Sequence, residues 1–298
     1  MRLALLALAG FLFTGQCRAQ APTAKWEGAI VDQKTRKPIP YAWVDMQGQK
    51  ARFFADSLGK VLIEAPGQFL PDTLIGMGLG YEPVKQAFSP TATAEPLKLE
   101  LPKTVIPLSN LVLRSDKAVP YTLGARSRQP GEGLIQGMPG SQFATFMKNE
   151  KGREMMHVRS AAFYIAESGQ PRTKFRVRIY SINQTSGGPG RDLLLENVVV
   201  SAPRGGGWFT VDLTPYNIPA PEAGFFVAMD WLQPPNFKAA TFLESGSSYG
   251  QALRPTFEFK ESRTWTYVAG QGWNQLPLVN ANGRAYNAMI NAEVDMIK

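Results

Sequence analysis

The sequence predicts an all-β fold of two sandwiches, and three observations carry that expectation. The 298 residues include 28 Gly and 23 Pro, a composition that favours short strands and turns over long helices. No segment sustains apolar residues at helical spacing. From Lys25 to Leu101 about seven short apolar segments are separated by turn signals, the spacing of a β-sandwich. Apolar residues make up 44% of the chain, enough for packed cores in one large or two ordinary domains.

Residues 1–19 read as a signal peptide. Arg2 supplies a short positive region and Leu3 to Phe13 an apolar one. Cys17-Arg18-Ala19 puts small residues at the −3 and −1 positions, so cleavage is expected before Gln20, with Ala19-Gln20-Ala21 as a second choice. The apolar run is too short to span a bilayer, and no later stretch reaches about 18 apolar residues. The expected address is the periplasm, the outer-membrane surface or the medium. Cys17 is the only cysteine. Membrane association is expected only if Cys17 is lipidated, and Gln16 stands where lipoprotein signals place a small residue. Cleavage after Ala19 leaves a mature chain without disulfide or thiol chemistry. Removing Arg2 and Arg18 from the 32 basic residues leaves 30 against 24 acidic ones, a net charge of +6. That charge is dispersed. No basic block or basic-aromatic stripe of the kind nucleic acids require is present, so a nucleic-acid partner is not expected.

The first seven strands are expected at 25–32, 41–46, 51–55, 60–64, 72–77, 83–88 and 97–101. Ile30 and Val31 sit beside an Asp32 read as exposed, and Val61 to Ile63 are read as buried on both faces or nearly so. Gly59 is expected at positive φ in the turn that Asp56 opens, where the Asp side chain bonds nearby backbone amides.

These residues carry a resemblance. Gly28-x-x-x-Asp32, Pro38-Ile39-x-x-Ala42-x-Val44, Asp56-x-x-Gly59, Asp72-x-Leu74 and Gly80-Tyr81 resemble the carboxypeptidase-regulatory-like domain. The match covers about a quarter of the chain. It implies a transthyretin-like sandwich of seven strands. The family occurs beside metallocarboxypeptidases, at the front of TonB-dependent receptors and in exported Gram-negative envelope proteins. Lys60-Val61 departs from the family, which usually has an aromatic or apolar residue directly after the glycine.

Residues 102–140 are expected as an extended segment followed by a linker. Ser115 to Gly140 holds five Gly and three Pro, and a long structureless stretch argues for a domain boundary. A second, jelly-roll-like sandwich is expected over 141–298. Its strands are placed at 155–166, 175–180, 193–195, 198–200, 208–213, 225–231 and 288–294. Phe175, Val177 and Ile179 are expected inward, with Arg176 and Arg178 outward. The glycines at 186–190 and 204–207 are read as turns, since they lack the Lys-Ser/Thr ending of a phosphate loop. Ser141-Gln-Phe-Ala-Thr, Phe175-x-Val-x-Ile-Tyr and Trp208-x-x-Val-Asp-Leu-Thr-x-Tyr-Asn-Ile are similar to the C-terminal halves of exported proteins classified only by their carboxypeptidase-regulatory-like domain. That likeness implies architecture and address, but no chemistry.

Catalytic constellations are sparse. His157 is the one histidine, so neither a zinc peptidase site nor a Ser-His-Asp triad is expected. Glu244-Ser-Gly-Ser-Ser248 is a loop and not a nucleophile elbow. Asp45 and Asp56 lack the alternating acids of a calcium loop. Glu244, Glu258 and Asp230 could in principle pair as glycosidase carboxylates. No cofactor and no metal site are expected.

Aromatic residues with amide neighbours are the suggestive feature. Trp231, Trp265, Tyr267 and Trp273 lie in the last third, interleaved with Asn274, Gln275, Asn280 and Asn282. Such groups build either a sugar-stacking platform or ordinary sandwich packing. Exposed, coplanar rings would mark the platform. Trp265, Trp273, Asn274, Gln275 and Arg284 are the candidate ligand-binding residues; the last four lie in 269–286, one of three long connections with 232–241 and 244–256, where recognition residues usually sit. The leading expectation is a non-enzymatic envelope protein with a binding or structural role and a glycan or another envelope protein as partner. The alternatives are a carbohydrate-binding module and a hydrolase of unrecognised type.

Overall fold

The computed structural model describes residues 23–48, 51–66, 72–89, 96–104, 118–233, 249–268, 271–275, 278–280 and 282–297. The expected signal peptide, Cys17, Glu244 and most of the 232–248 connection lie outside the described residues. Within them the chain is all-β. A single 3₁₀ turn, Thr214–Tyr216, is the one helical element among the described residues.

The first seven strands are β1 (Thr23–Asp32), β2 (Trp43–Met46), β3 (Ala51–Phe54), β4 (Lys60–Pro66), β5 (Asp72–Met77), β6 (Val84–Phe88) and β7 (Leu97–Leu101). They form a three-stranded sheet, β4-β1-β7, and a four-stranded one, β3-β2-β5-β6. Ile30, Val44, Met46, Ile63, Leu74, Leu99 and Leu101 interleave between the two as one core. The motif residues have local causes. A Cβ at Gly28 would lie 2.7 Å from the carbonyl oxygen of Leu97, so β7 can pair in parallel with β1 only at a glycine. Gly59 sits at φ 71, and Asp56 Oδ1 accepts from the amides of Leu58 and Lys60 at 2.8 and 2.9 Å. Asp32 is buried rather than exposed, at 7%. It is turned inward because its carboxylate caps the following turn, accepting from the amides of Lys34 and Thr35 at 2.9 and 2.7 Å.

The second unit begins earlier than its composition indicates. The stretch expected as a linker contains β8 (Ala118–Gly124) and β9 (Ile135–Gln136). The remaining strands follow in order: β10 (Gln142–Met147), β11 (Met155–Gly169), β12 (Phe175–Ile182), β13 (Pro189–Asp192), β14 (Val199–Val200), β15 (Gly207–Asp212), β16 (Ile218–Pro219), β17 (Phe225–Trp231), β18 (Gln251–Leu253), β19 (Pro255–Thr256), β20 (Thr264–Val268), β21 (Gly272–Asn274), β22 (Asn287–Ala288) and β23 (Ile290–Ile297). One sheet runs β13-β12-β17-β10-β20-β21. The other runs β8-β23-β11-β18-β9, with β15 and β16 also on β11. β8 pairs with β23 over its whole length, Pro120 opposite Asp295. It is an edge strand, where a residue without an N–H is tolerated. Leu193 to Leu195, expected as a strand, is irregular; the pairing falls on β13 just before it.

Phe163, Phe175, Val177, Ile179, Phe225, Val227, Met229, Trp231 and Ile290 fill the space between these two sheets. Trp231 is wholly buried there and donates its indole N–H to the Gln251 carbonyl at 3.0 Å. It therefore belongs to the core and not to an exposed platform. Truncating such a ring costs about 3–5 kcal/mol, which makes this layer the main support of everything built on its outer side.

Candidate functional site

The outer face of the β13-β12-β17-β10-β20-β21 sheet collects the polar and aromatic residues that alternate with the core. Register sets them in rows. Arg176, Asp230, Gln142, Tyr267 and Trp273 stand side by side across β12, β17, β10, β20 and β21. Arg178, Ala228, Ala144 and Trp265 form the next row, and Tyr180, Phe226 and Phe146 the third. Ala144 and Ala228 are the small residues at the centre of these rows.

The two halves of this face have different fates. On the β12 side Arg176 and Arg178 do point away from the core, as expected, yet they are 1% and 4% exposed. The first sandwich covers them. The Trp43 ring lies 5.8 and 5.9 Å from their guanidinium carbons and 5.4 Å from that of Arg52. Arg176 also donates to the Tyr41 carbonyl at 3.1 Å and to Asn197 at 3.0 Å, and Asn197 donates to the Pro40 carbonyl at 2.9 Å. Arg52 is paired with Asp45 and donates to the Tyr267 hydroxyl. Burial works against the Arg178 charge, but Asp192, Tyr180 and Asp230 outweigh it and raise its pKa. Burial likewise pushes Tyr180 far up, opposed by Arg178, so its hydroxyl stays protonated and donates to Gln142 Oε1 at 2.6 Å.

The other half remains partly open. Phe146, Ile182, Trp265 and Trp273 pack around Ala144, Tyr180, Phe226 and Ala228. Their rings meet at steep or tilted angles. Trp265 stands at 83° to Phe226, and Trp273 at 79° to Tyr180 and 60° to Tyr267. The 183–188 loop rests on Trp265, with no room for a Cβ at Gly188, which would fall 2.5 Å from the indole. Trp273 extends into a cleft of about 640 Å³ that is also bounded by Ile182, Gln184, Arg191, Leu193 and Pro221, a volume in the range of ligand sites.

Of the five candidate residues, Trp265 and Trp273 share this face. Asn274 follows Trp273 in the strand, so the pleat turns it to the opposite side, where it is exposed. Gln275 donates to the Ser262 carbonyl at 2.9 Å. Arg284 stacks 4.6 Å above Phe257, and its own backbone amide donates to Asn280 Oδ1 at 2.9 Å. The five are not one constellation, because the strand pleat and the 280–286 turn send the last three elsewhere. Tyr180, which meets Trp273, and Gln184 and Arg191, which line the same cleft, lie on a hairpin remote in sequence. Only the Phe175-x-Val-x-Ile alternation hinted that β12 carries an outer face worth reading.

The carboxylates considered for catalysis have structural partners. Asp230 is ion-paired with Arg176. Glu258 accepts from the backbone amides of Arg126 and Ser127 at 3.0 and 2.7 Å and from the Thr256 hydroxyl at 3.1 Å. Among the described residues no group of three His, Cys, Asp or Glu could hold a metal ion.

No family model matches this chain, and no curated protein does. A solved structure of a DUF3823 family protein from Parabacteroides merdae is 10% identical, covering 72% of this chain and 100% of that one with a TM-score of 0.20. A likeness that weak carries no argument about fold or function.

Proposed function

We propose that this chain is a non-enzymatic, exported protein of a Gram-negative envelope that binds a glycan through its second sandwich. The observation that carries the reading is the half-open aromatic patch of Trp265 and Trp273, running into a cleft edged by polar groups. Sugar rings present flat apolar faces rimmed by hydroxyls, and an indole beside amide groups answers both parts of that surface. Trp265 stands steeply to Phe226 and Trp273 to Tyr180, so a sugar would lie against one indole, not across a row of parallel platforms. The first sandwich then serves as a carboxypeptidase-regulatory-like, transthyretin-like domain over 25–101. The motif glycines and the seven-strand build support that assignment. Its role is to brace the arginine half of the outer face. Export follows from the apolar, small-residue pattern of 1–19, with Gln20 as the mature N-terminus. Asp230 and Glu258, two of the carboxylates considered for catalysis, are engaged in structural contacts.

The test is retention of the mature chain on immobilised neutral and acidic polysaccharides, with the soluble fraction assayed for cleavage products. Wild type should be retained without releasing sugar, while Trp265→Ala and Trp273→Ala should be retained less. Retention unchanged in both variants, no retention of wild type, or release of oligosaccharides would each remove the reading.

A further inference from the structure

The cleft beside Trp273 contains a cation that the fold does not use. Arg191 is exposed at the end of the β12–β13 hairpin and lines the cleft. Its guanidinium has no hydrogen-bond or ion-pair partner among the described residues, unlike Arg176, Arg178, Arg52 and Arg263, which are all paired. The neighbouring Asp192 is no competitor, because the strand turns it to Arg178, which donates to it at 2.8 and 2.6 Å. The residues bounding the cleft include no Asp or Glu. Glu222, in the turn beside it, is exposed and its side chain does not bound the cleft. Gln184 also lacks a side-chain partner among the described residues, and the Trp273 indole N–H has none. Asn183, by contrast, is spent on its own loop, accepting from the amides of Thr185 and Ser186 at 2.9 and 3.1 Å. The cleft is thus lined by one indole, one amide side chain without a partner among the described residues and one planar, permanently charged fork.

We infer that the cleft selects a saccharide bearing a carboxylate, with the sugar ring against Trp273 and its carboxylate on Arg191. This rests on the glycan reading above and names the class within it. The guanidinium fork matches a carboxylate with two parallel hydrogen bonds. With no opposing acid among the lining residues, the local field favours an anion. The net positive charge of the chain would speed the approach of a polyanion without choosing its seat.

The experiment compares the affinity of the mature full-length chain for polygalacturonate, alginate and hyaluronate with that for the methyl ester of each, in which one methyl group replaces the charge. Wild type should bind at least one acid form about tenfold or more tightly than its ester, the ordinary size of a charge-assisted pair. Arg191→Gln, a surface substitution that leaves the core untouched, should abolish that preference, weakening the acid form far more than the ester. Lys85→Gln, which removes the same charge from an exposed position on β6, should have no effect. Trp273→Ala should weaken acid and ester alike, roughly fivefold to a hundredfold by analogy with base stacking. Equal binding of acid and ester overturns the carboxylate inference and leaves the glycan reading standing. Equal losses in Arg191→Gln and Lys85→Gln also overturn it, since diffuse attraction would then explain the preference. No binding to any of the six polymers overturns both.

Discussion

Arg176 and Asp230 face each other across the β12–β17 ladder, and the guanidinium donates twice to one carboxylate oxygen, at 2.9 and 2.7 Å. Their side chains are 1% and 2% exposed. Arg178 approaches the same oxygen at 3.5 Å and is held in turn by Asp192. The pair sits where two sandwiches meet, so water cannot compensate either charge if the other is lost.

Removing one partner should therefore be severe and removing both mild. Asp230→Ala leaves a buried guanidinium uncompensated and should lower stability by about 3–5 kcal/mol, whereas replacing both residues by apolar ones of similar volume should recover most of that loss. Urea denaturation of wild type, the single variant and an Arg176→Met/Asp230→Leu double variant measures this directly. A double variant as unstable as the single one would mean that the pair is irreplaceable for a reason other than charge.

Trp43 should couple the two sandwiches. It touches Arg52, Arg176 and Arg178 at once, and Arg52 reaches on to Tyr267. Trp43→Ala removes these contacts and should cost about 2–4 kcal/mol, between the worth of desolvated cation–π pairs and that of a truncated buried ring. Wild type should unfold in one calorimetric transition and the variant in two. A single transition in the variant would place the coupling elsewhere.

The first sandwich should be sensitive to pH at both ends through Asp32 and Tyr81. The amide of Thr35, then the Thr35 and Tyr81 hydroxyls and the Lys34 amide, hold the Asp32 carboxyl below its ordinary 3.8, against the opposing effect of burial. A carboxyl depressed in the folded state contributes stability above its unfolded pKa, and that contribution is lost as the pH falls through the folded value. Burial and the hydrogen bond to Asp32 push Tyr81 up from 10.0 to about 12. Its contribution is present below pH 10 and lost as the pH rises through about 12. Denaturation midpoints across the pH range should show both flanks. Asp32→Asn should flatten the acid flank, and Tyr81→Phe the alkaline one. Flanks of unchanged steepness would assign the dependence to other groups.

Gly188→Ala tests how the loop sits on Trp265. The new methyl would fall 2.5 Å from the ring, so either loop or indole must move, at about 1–3 kcal/mol. The Trp265 indole resonance should shift strongly while that of the core Trp231 stays in place. An unmoved Trp265 signal would show that the loop yields instead.

Much of the fold was legible in the chain because local chemistry dictates it. β5, β7 and β17 fall where alternation and turn residues place them, and Gly28 and Gly59 mark the sites where only a glycine permits the backbone approach or angle. Inward and outward sides of β12 follow from the pleat alone. What covers an outward side does not, since that depends on a surface brought from far along the chain. Arg176 and Arg178 therefore read as solvent-facing, although Trp43 and Tyr41 bury them. Pro120 read as part of a linker because composition cannot tell an edge strand from a loop, and only pairing with β23 decides. Trp265 and Trp273 were found as residue types suited to a ligand, but their companions were taken from neighbouring sequence. The pleat turned Asn274 away, and the sheet brought Tyr180, Gln184 and Arg191 in from a distant hairpin. Sequence by itself determined which side chains leave the core. Tertiary structure alone decided which of them remain open to solvent and which of them meet.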